Sequence, residues 1–190
     1  MAISKRLNQL GKGVFERNDQ RKQAYRLARS ARQSPPLLDL SLGSCDILPP
    51  EIVLEAIANA LTDPESSAYC LHAATRPFRE AVSFWCKGRF GVDVDPDREV
   101  LLLVGSQEGT AHLPLAVLDP GDSGLILDPS YPSHRGGLIL ANARIERLLL
   151  RSEFAWKPDF KSLTNTQWDQ LKLMIFGFPH NPTAQVGQQS

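Results

Sequence analysis

Residues 100–132 read VLLLVGSQEGTAHLPLAVLDPGDSGLILDPSYP, and this stretch decides the fold. It contains two aliphatic runs, at residues 100–104 and 125–127, and similar runs follow at residues 145–150 and 171–178. Runs that are nearly continuous, rather than alternating with polar residues, indicate strands covered on both faces, and the segments between them are long enough for crossover helices. The pattern predicts an α/β fold with a doubly wound, mostly parallel sheet that binds its ligand at the carboxyl ends of the strands.

The first 34 residues form a basic segment. They carry nine Lys or Arg against Glu16 and Asp19, a net charge of +7, although the whole chain is neutral. Apolar residues recur at helical spacing among the charges, so residues 4–34 are predicted to form an amphipathic or partly irregular helical arm. A nucleic-acid-binding arm and a transit peptide are disfavoured, because aromatic residues do not interleave the charges and the two acids interrupt the basic pattern. A solvated surface helix fits the charge equally well.

Two helices are predicted between the arm and the first aliphatic run. The first covers residues 51–61 and stops before Asp63-Pro64. The second covers residues 77–90, with glycines near its end. Its apolar residues fall on one face that we expect to be packed, namely Phe78, Ala81, Val82 and Trp85.

The composition is that of an ordinary globular protein, with 42% hydrophobic and 22% charged residues in a chain of 190. No apolar stretch approaches the roughly 18 residues of a membrane span, and no signal peptide is visible, so we expect a cytoplasmic protein without membrane or nucleic-acid partners. Cys45, Cys70 and Cys86 are odd in number and lack metal-ligand spacing, which argues against a disulfide framework and against a zinc site.

The turn after the first aliphatic run is a candidate phosphate site. Gly105 permits a tight turn, and the free amides of Ser106, Gln107 and Glu108 at a helix start, together with the Ser106 hydroxyl, suit a phosphate dianion. The alternative is a plain strand-to-helix turn in which Ser106 is the N-cap. The motif is neither a Walker loop nor the dinucleotide Gly-x-Gly-x-x-Gly pattern.

Aromatic and amide side chains follow two later runs. Tyr131 stands at a strand end, where its face suits stacking on a flat heteroaromatic ring, and His134 lies one helical turn further on. Asn181 follows the last run and offers two hydrogen-bond donors, with Pro182 restricting its backbone. Taken singly, each has a plain alternative: Tyr131 covering the core, His134 as a partly exposed helix residue, and an ordinary Asn-Pro turn.

In their order, these pieces resemble the fold type I pyridoxal-phosphate-dependent aminotransferases, in particular the branch of aspartate and LL-diaminopimelate aminotransferases. The resemblance spans residues 38–183. It rests on the following segments: residues 40–46 (LSLGSCD), 105–109 (GSQEG), 111–114 (AHLP), 119–122 (DPGD), 128–132 (DPSYP) and 181–183 (NPT). It implies that residues 37–190 are an incomplete large domain of this fold, preceded by an arm of residues 1–36.

The resemblance also implies roles for particular residues. Ser106, Gln107 and the adjacent amides, Glu108 included, would hold the phosphate of pyridoxal 5'-phosphate. Tyr131 would stack on its ring, and Asn181 would bind the phenolic oxygen. His134 matches a histidine that in some relatives supports the aspartate paired with the ring nitrogen. Gly43 matches a glycine that lines the substrate carboxylate, and Tyr69 matches a tyrosine that reaches the phosphate of the neighbouring subunit. The substrates implied are an amino acid and a 2-oxo acid, and the assembly implied is a homodimer.

Two departures from the family pattern stand out. Ala184 occupies a position where the family has glycine after Asn-Pro-Thr. Lys157, Lys161 and Lys172 all precede Asn181, so none matches the lysine that holds the cofactor as a Schiff base. We therefore expect a fragment that is inactive by itself, with two alternatives: one half of a split aminotransferase, and a non-catalytic interaction or dimerisation remnant.

Overall fold

The computed structural model describes residues 3–32 and 35–187. It divides into two compact units, one formed by Met1–Leu37 with Leu103–Ser190 and the other by Leu38–Leu102. The predicted boundary between residues 36 and 37 does not correspond to this division and stays a prediction.

The first unit contains a sheet of three parallel strands. They are β1 (Ser123–Asp128), β2 (Arg144–Leu149) and β3 (Leu171–Ile175), in the spatial order β2-β1-β3. β1 pairs in continuous register with β2, whereas its pairing with β3 has one irregularity between Ser123 and Gly124. Ile126 lies opposite Arg147 on β2 and Ile175 on β3. β1 is buried over almost its whole length, whereas β2 and β3 are partly exposed. Three of the four predicted strands and the parallel arrangement are thus confirmed.

Successive side chains of β1 point to opposite faces of the sheet, and both faces are covered. On one face Ile126 packs against Leu138 of the crossover helix between β1 and β2. On the other, Leu125 and Leu127 lie in a cluster packed against Leu163, from the connection that enters β3. The two crossovers therefore lie on opposite sides, which confirms the doubly wound α/β arrangement and favours a cleft at the carboxyl ends of β1 and β3.

The predicted strand at residues 100–104 is wrong, since this segment has no strand structure. Both edges of β1 are already occupied by β2 and β3, so a fourth strand would have to join an outer edge of the sheet. The side chains of Leu101 and Val104 are 75% and 92% exposed, respectively. A β-prone run forms a strand only where a neighbouring strand pairs with it.

The helix α5 (Ser106–Val117), which follows Gly105, packs closely against α6 (Pro132–Leu140). A Cβ atom placed on Gly137 of α6 would lie 2.5 Å from the carbonyl oxygen of Thr110 on α5. Only a glycine allows this approach, and the approach fixes the beginnings of the two helices relative to each other.

The arm consists of two helices, α1 (Lys5–Leu10) and α2 (Val14–Arg32). Ser4 caps α1 by accepting a hydrogen bond from the amide of Leu7 at 3.2 Å, and Gly11, with φ 61°, ends it. The Arg6 guanidinium donates to the carbonyl oxygen of Leu140 at 2.8 Å, which ties α1 to α6. The helical arm is confirmed over these ranges, whereas its predicted end at residue 34 lies outside the described residues.

The second unit contains α3 (Glu51–Ala60) and α4 (Arg76–Phe90), close to the predicted bounds. The expected packing of α4 is wrong. Phe78, Ala81 and Trp85 are exposed and Val82 is half-buried, and the only fully buried residue of the helix is Arg79. Its guanidinium binds Thr75 Oγ1, the carbonyl oxygens of His72 and Pro96, and a carboxylate oxygen of Asp97. A polar clamp, rather than an apolar face, holds α4 within its unit.

Within residues 3–32 and 35–187, no helix is long and apolar enough to cross a membrane. The same residues contain no group of three His, Cys, Asp or Glu side chains arranged to hold a metal ion. Cys45 and Cys70 are exposed free thiols, and Cys86 is a half-buried one.

Candidate functional site

The corner before α5 has the shape expected for binding an anion. Gly105 has φ 78° and serves as the N-cap residue, so Ser106 is the first helical residue rather than the cap. No side chain caps this helix end, and the amides of the first turn have no acceptor in the helix itself. Glu108 differs, because its amide donates to the carbonyl oxygen of Gly105 at 3.2 Å. Ser106 and Gln107 therefore supply the amides best placed to bind an anion.

Tyr131 is joined to this corner by a hydrogen bond. It is the N-cap residue of α6, directly beyond β1, and its hydroxyl donates to Oε1 of Gln107 at 3.0 Å. A second bond between the same two helices, 2.8 Å long, joins the hydroxyls of Thr110 and Ser133. These bonds hold the half-buried ring of Tyr131 beside the start of α5.

His134 continues the cluster one turn along α6. Its ring meets that of Tyr131 edge to face, with 6.1 Å between the ring centroids. Burial lowers the pKa of the His134 imidazole below its usual value, and the nearby charge of His180 lowers it further. His134 is therefore neutral at pH 7, and it lies close enough to His180 to interact with it electrostatically.

Asn181 lies in a tight turn after β3. The amide of His180 donates to the carbonyl oxygen of Gln185 at 2.7 Å, and the amide of Ala184 donates to the carbonyl oxygen of His180 at 2.6 Å. Asn181 stands exposed in this turn. Ala184 has φ 59°, in the left-handed region that favours glycine.

Gly43 and Tyr69 belong to the second unit. Gly43 is exposed, and Tyr69 is 87% exposed beside an open pocket of about 560 Å³ lined in part by Cys70 and Pro77. Their predicted roles at the site formed by the first unit stay predictions.

The first unit thus brings together the predicted residues Gln107, Tyr131 and His134, with Ser106 next to Gln107. Asn181 follows the neighbouring strand, next to His180. The sequence reasoning missed His180 and Thr183, although both lie in the segment that contains Asn181. The available signal was the His-Asn-Pro-Thr order, which puts a titratable ring and a hydroxyl three residues apart in a turn.

Comparisons with known proteins point to one family of enzymes. The chain is 37% identical over 182 residues to LL-diaminopimelate aminotransferase of Aquifex aeolicus, covering 96% of this chain and 46% of that protein. It is 34% identical to L-glutamine--4-(methylsulfanyl)-2-oxobutanoate aminotransferase of Bacillus subtilis, covering 83% of this chain and 40% of that protein. The chain therefore spans less than half the length of these curated relatives.

Among solved structures, the fold matches that of a probable N-succinyldiaminopimelate aminotransferase from Thermus thermophilus. The TM-score is 0.83 and the identity 40%, with 93% of this chain and 46% of the other covered. The family model for class I and II aminotransferases matches residues 35–188. Because this match takes in the strands and all three candidate segments, the chain belongs to the class I and II aminotransferase family.

Proposed function

We propose that this chain forms the part of an aminotransferase that holds the phosphate and ring of pyridoxal 5'-phosphate. In the whole protein, an amino group would pass from an amino acid to a 2-oxo acid. The observation that carries the proposal is the hydrogen bond from Tyr131 to Gln107, because it joins a stacking face to an uncapped helix start.

The residues present fit this cofactor. A phosphate dianion suits the start of α5, where Ser106 and Gln107 present backbone amides and no side chain competes as a cap. The carboxylate of Glu108 accepts a hydrogen bond from the amide of Val104 at 2.5 Å. This bond holds the negative charge of Glu108 against the backbone that precedes the helix. The half-buried ring of Tyr131, held at its hydroxyl, offers a face to a pyridine ring without losing further side-chain freedom.

Asn181 and His134 would act on the ring's periphery. The exposed amide of Asn181 can donate to the phenolic oxygen of the ring. A neutral His134 can donate or accept one hydrogen bond behind the ring without adding positive charge. When bound, pyridoxal phosphate supplies an electron sink for chemistry at the α carbon of an amino acid.

The lysine that would hold the cofactor covalently belongs, in our proposal, to another part of the whole protein. Lys157, Lys161 and Lys172 all precede the Asn181 turn, and Lys157 and Lys161 lie in the connection between β2 and β3. We therefore expect this chain alone to bind the cofactor weakly and without a defined covalent attachment.

We further propose that the whole protein is a cytoplasmic homodimer with sites shared between subunits. The phenol of Tyr69 is 87% exposed, as a side chain must be if it contacts the phosphate in a neighbouring subunit. Gly43 is exposed in the same unit, where it would line the substrate carboxylate. The basic arm, with α2 projecting apolar Val14 and Phe15 into solvent, suits a contact with a partner.

The amino acid substrate is a separate matter. The relatives matched by this chain are named for different substrates: LL-diaminopimelate for one, and glutamine with a methylsulfanyl oxo acid for another. Because both are similar to this chain, we propose that the segment it covers serves the cofactor rather than the choice of side chain.

Titration with pyridoxal phosphate, followed by absorbance and compared with pyridoxal, tests the proposal. We expect pyridoxal, which lacks the phosphate, to bind about tenfold more weakly. Ser106→Ala should weaken the binding of pyridoxal phosphate only, with Ser152→Ala as the matched control on an exposed serine. Tyr131→Phe should lose less affinity than Tyr131→Ala, since it keeps the ring and loses only the bond to Gln107. Equal affinities for the two ligands in every variant would refute the phosphate site and favour a non-catalytic remnant.

A further inference from the structure

His180 has an unusual hydrogen-bond environment. Its side chain is buried, with only 4% of the residue exposed. Its Nδ1 lies 2.7 Å from the hydroxyl oxygen of Thr183, whereas its Nε2 is buried and has no hydrogen-bond partner among the described residues. Buried polar atoms are nearly always paired, so this imidazole calls for an explanation beyond packing.

The hydrogen bonds around Thr183 favour one ring nitrogen of His180 as the site of the hydrogen. The hydroxyl oxygen of Thr183 already accepts from the amide of Gln185 at 3.4 Å. Its own hydrogen is then free to donate to Nδ1 of His180, which leaves Nδ1 as an acceptor. A neutral ring in this arrangement carries its hydrogen on Nε2. The opposite assignment would leave the Thr183 hydroxyl hydrogen without this acceptor.

The same contacts close the turn that presents Asn181. Two backbone bonds join His180 to Gln185 and to Ala184, and the bond between the His180 and Thr183 side chains spans the turn. Asn181 lies between these two residues and is itself exposed. Its direction is therefore set by the clamp around it rather than by packing of its own side chain.

We propose that His180 is a positioning residue whose ring, as the Nε2-protonated tautomer, uses Nδ1 to hold Thr183 and thereby to orient the amide of Asn181. This inference rests on the proposed function for one point only, the contact of Asn181 with the cofactor ring. The remaining Nε2 hydrogen is a buried donor suited to an oxygen acceptor. Within the turn, the imidazole of His180 acts through Nδ1.

Isosteric substitutions separate the two nitrogens. His180→Asn places an amide oxygen near the position of Nδ1, whereas His180→Gln places its amide near Nε2. Thr183→Ser keeps the hydroxyl, and Thr183→Val removes it at nearly the same volume. We expect His180→Asn and Thr183→Ser to stay within about threefold of the wild-type affinity for pyridoxal phosphate. His180→Gln and Thr183→Val should each lose about tenfold, the effect of one hydrogen bond.

Nuclear magnetic resonance of the ¹⁵N-labelled chain without ligand gives the independent readout. Long-range ¹H–¹⁵N spectra should show the Nε2-protonated tautomer of His180, retained in Thr183→Ser and lost in Thr183→Val. The side-chain amide signals of Asn181 should move in Thr183→Val but not in Thr183→Ser. Circular dichroism confirms that each variant is folded before it is compared.

Three results would overturn the inference: an Nδ1-protonated tautomer in the wild type, equal behaviour of Thr183→Val and Thr183→Ser, and rescue by His180→Gln but not by His180→Asn. If the wild-type chain shows no saturable binding of pyridoxal phosphate, the proposed function fails. The tautomer and the Asn181 signals then still decide whether His180 orients the turn.

Discussion

Replacing Gly137 by alanine adds one methyl group at the closest approach of α5 and α6. The new Cβ would lie 2.5 Å from the carbonyl oxygen of Thr110, 3.2 Å from that of Ala111 and 3.1 Å from Cγ of Pro114. Two of these atoms belong to the backbone and cannot move aside alone. The two helices must therefore separate, which would also lengthen the hydrogen bond from Tyr131 to Gln107.

The neighbouring residue provides a matched control. Gly136 lies in the same helix, but a Cβ there would meet only Cδ2 of Leu10, at an ordinary 3.7 Å. Both substitutions gain about 1 kcal/mol from the higher helix propensity of alanine. Only Gly137→Ala also incurs overpacking, which costs about 1–3 kcal/mol and should lie near the upper end against rigid backbone. We expect the two variants to differ by about 2–3 kcal/mol in the free energy of unfolding.

Urea unfolding followed by circular dichroism measures this difference directly. Gly136→Ala should raise the midpoint slightly, and Gly137→Ala should lower it. In thermal unfolding the two variants should differ by about 4–12 °C, given about 2–4 °C per kcal/mol for a chain of this size. Equal midpoints, or a more stable Gly137→Ala, would refute the close approach of α5 and α6 and with it the geometry of the site.

Three further predictions concern stability. Ala184→Gly should stabilise the chain by about 0.5–1 kcal/mol, because an L-residue in the left-handed region is strained, and the urea midpoint will show it. Arg79→Met should destabilise by about 1–3 kcal/mol, since it removes a buried donor from the carbonyl oxygens of His72 and Pro96, whereas the exposed Arg76→Met should change the midpoint little. Because burial and the charge of His180 lower the pKa of His134, the unfolded chain binds the proton first. Stability should therefore fall as the pH drops from about 6.5 toward the lowered pKa, and His134→Asn should flatten this part of the pH profile.

The parts of the fold that the sequence predicts are those governed by local chemistry. The central strand β1 is aliphatic throughout its buried middle, and both of its flanking turns carry glycine or proline. The helices α3 and α4 begin next to prolines, and α4 ends at Gly91, whose φ of 69° suits a glycine. The corner before α5 is also predictable from sequence, because Gly105 suits the positive φ at this turn and the polar residues after it suit a helix start.

The predictions are wrong where the structure of a segment depends on its neighbours in space. The run at residues 100–104 has the composition of a strand, yet pairing depends on which sheet edges are free. The apolar face of α4 was expected to be packed, but helical periodicity shows only that a face exists and not what covers it. A linear pattern does not reveal His180, because its role depends on its burial and on the position of Thr183.

The central claim is that the ends of β1 and β3 and the start of α5 form one site for a phosphorylated pyridine. A backbone-amide magnetic resonance titration of this chain with pyridoxal phosphate tests it most directly. We predict that the amides of Ser106, Gln107, Tyr131 and Asn181 shift along one shared saturation curve, and that inorganic phosphate shifts only Ser106 and Gln107. Separate saturation curves for these residues, or shifts confined to other parts of the chain, would contradict the account.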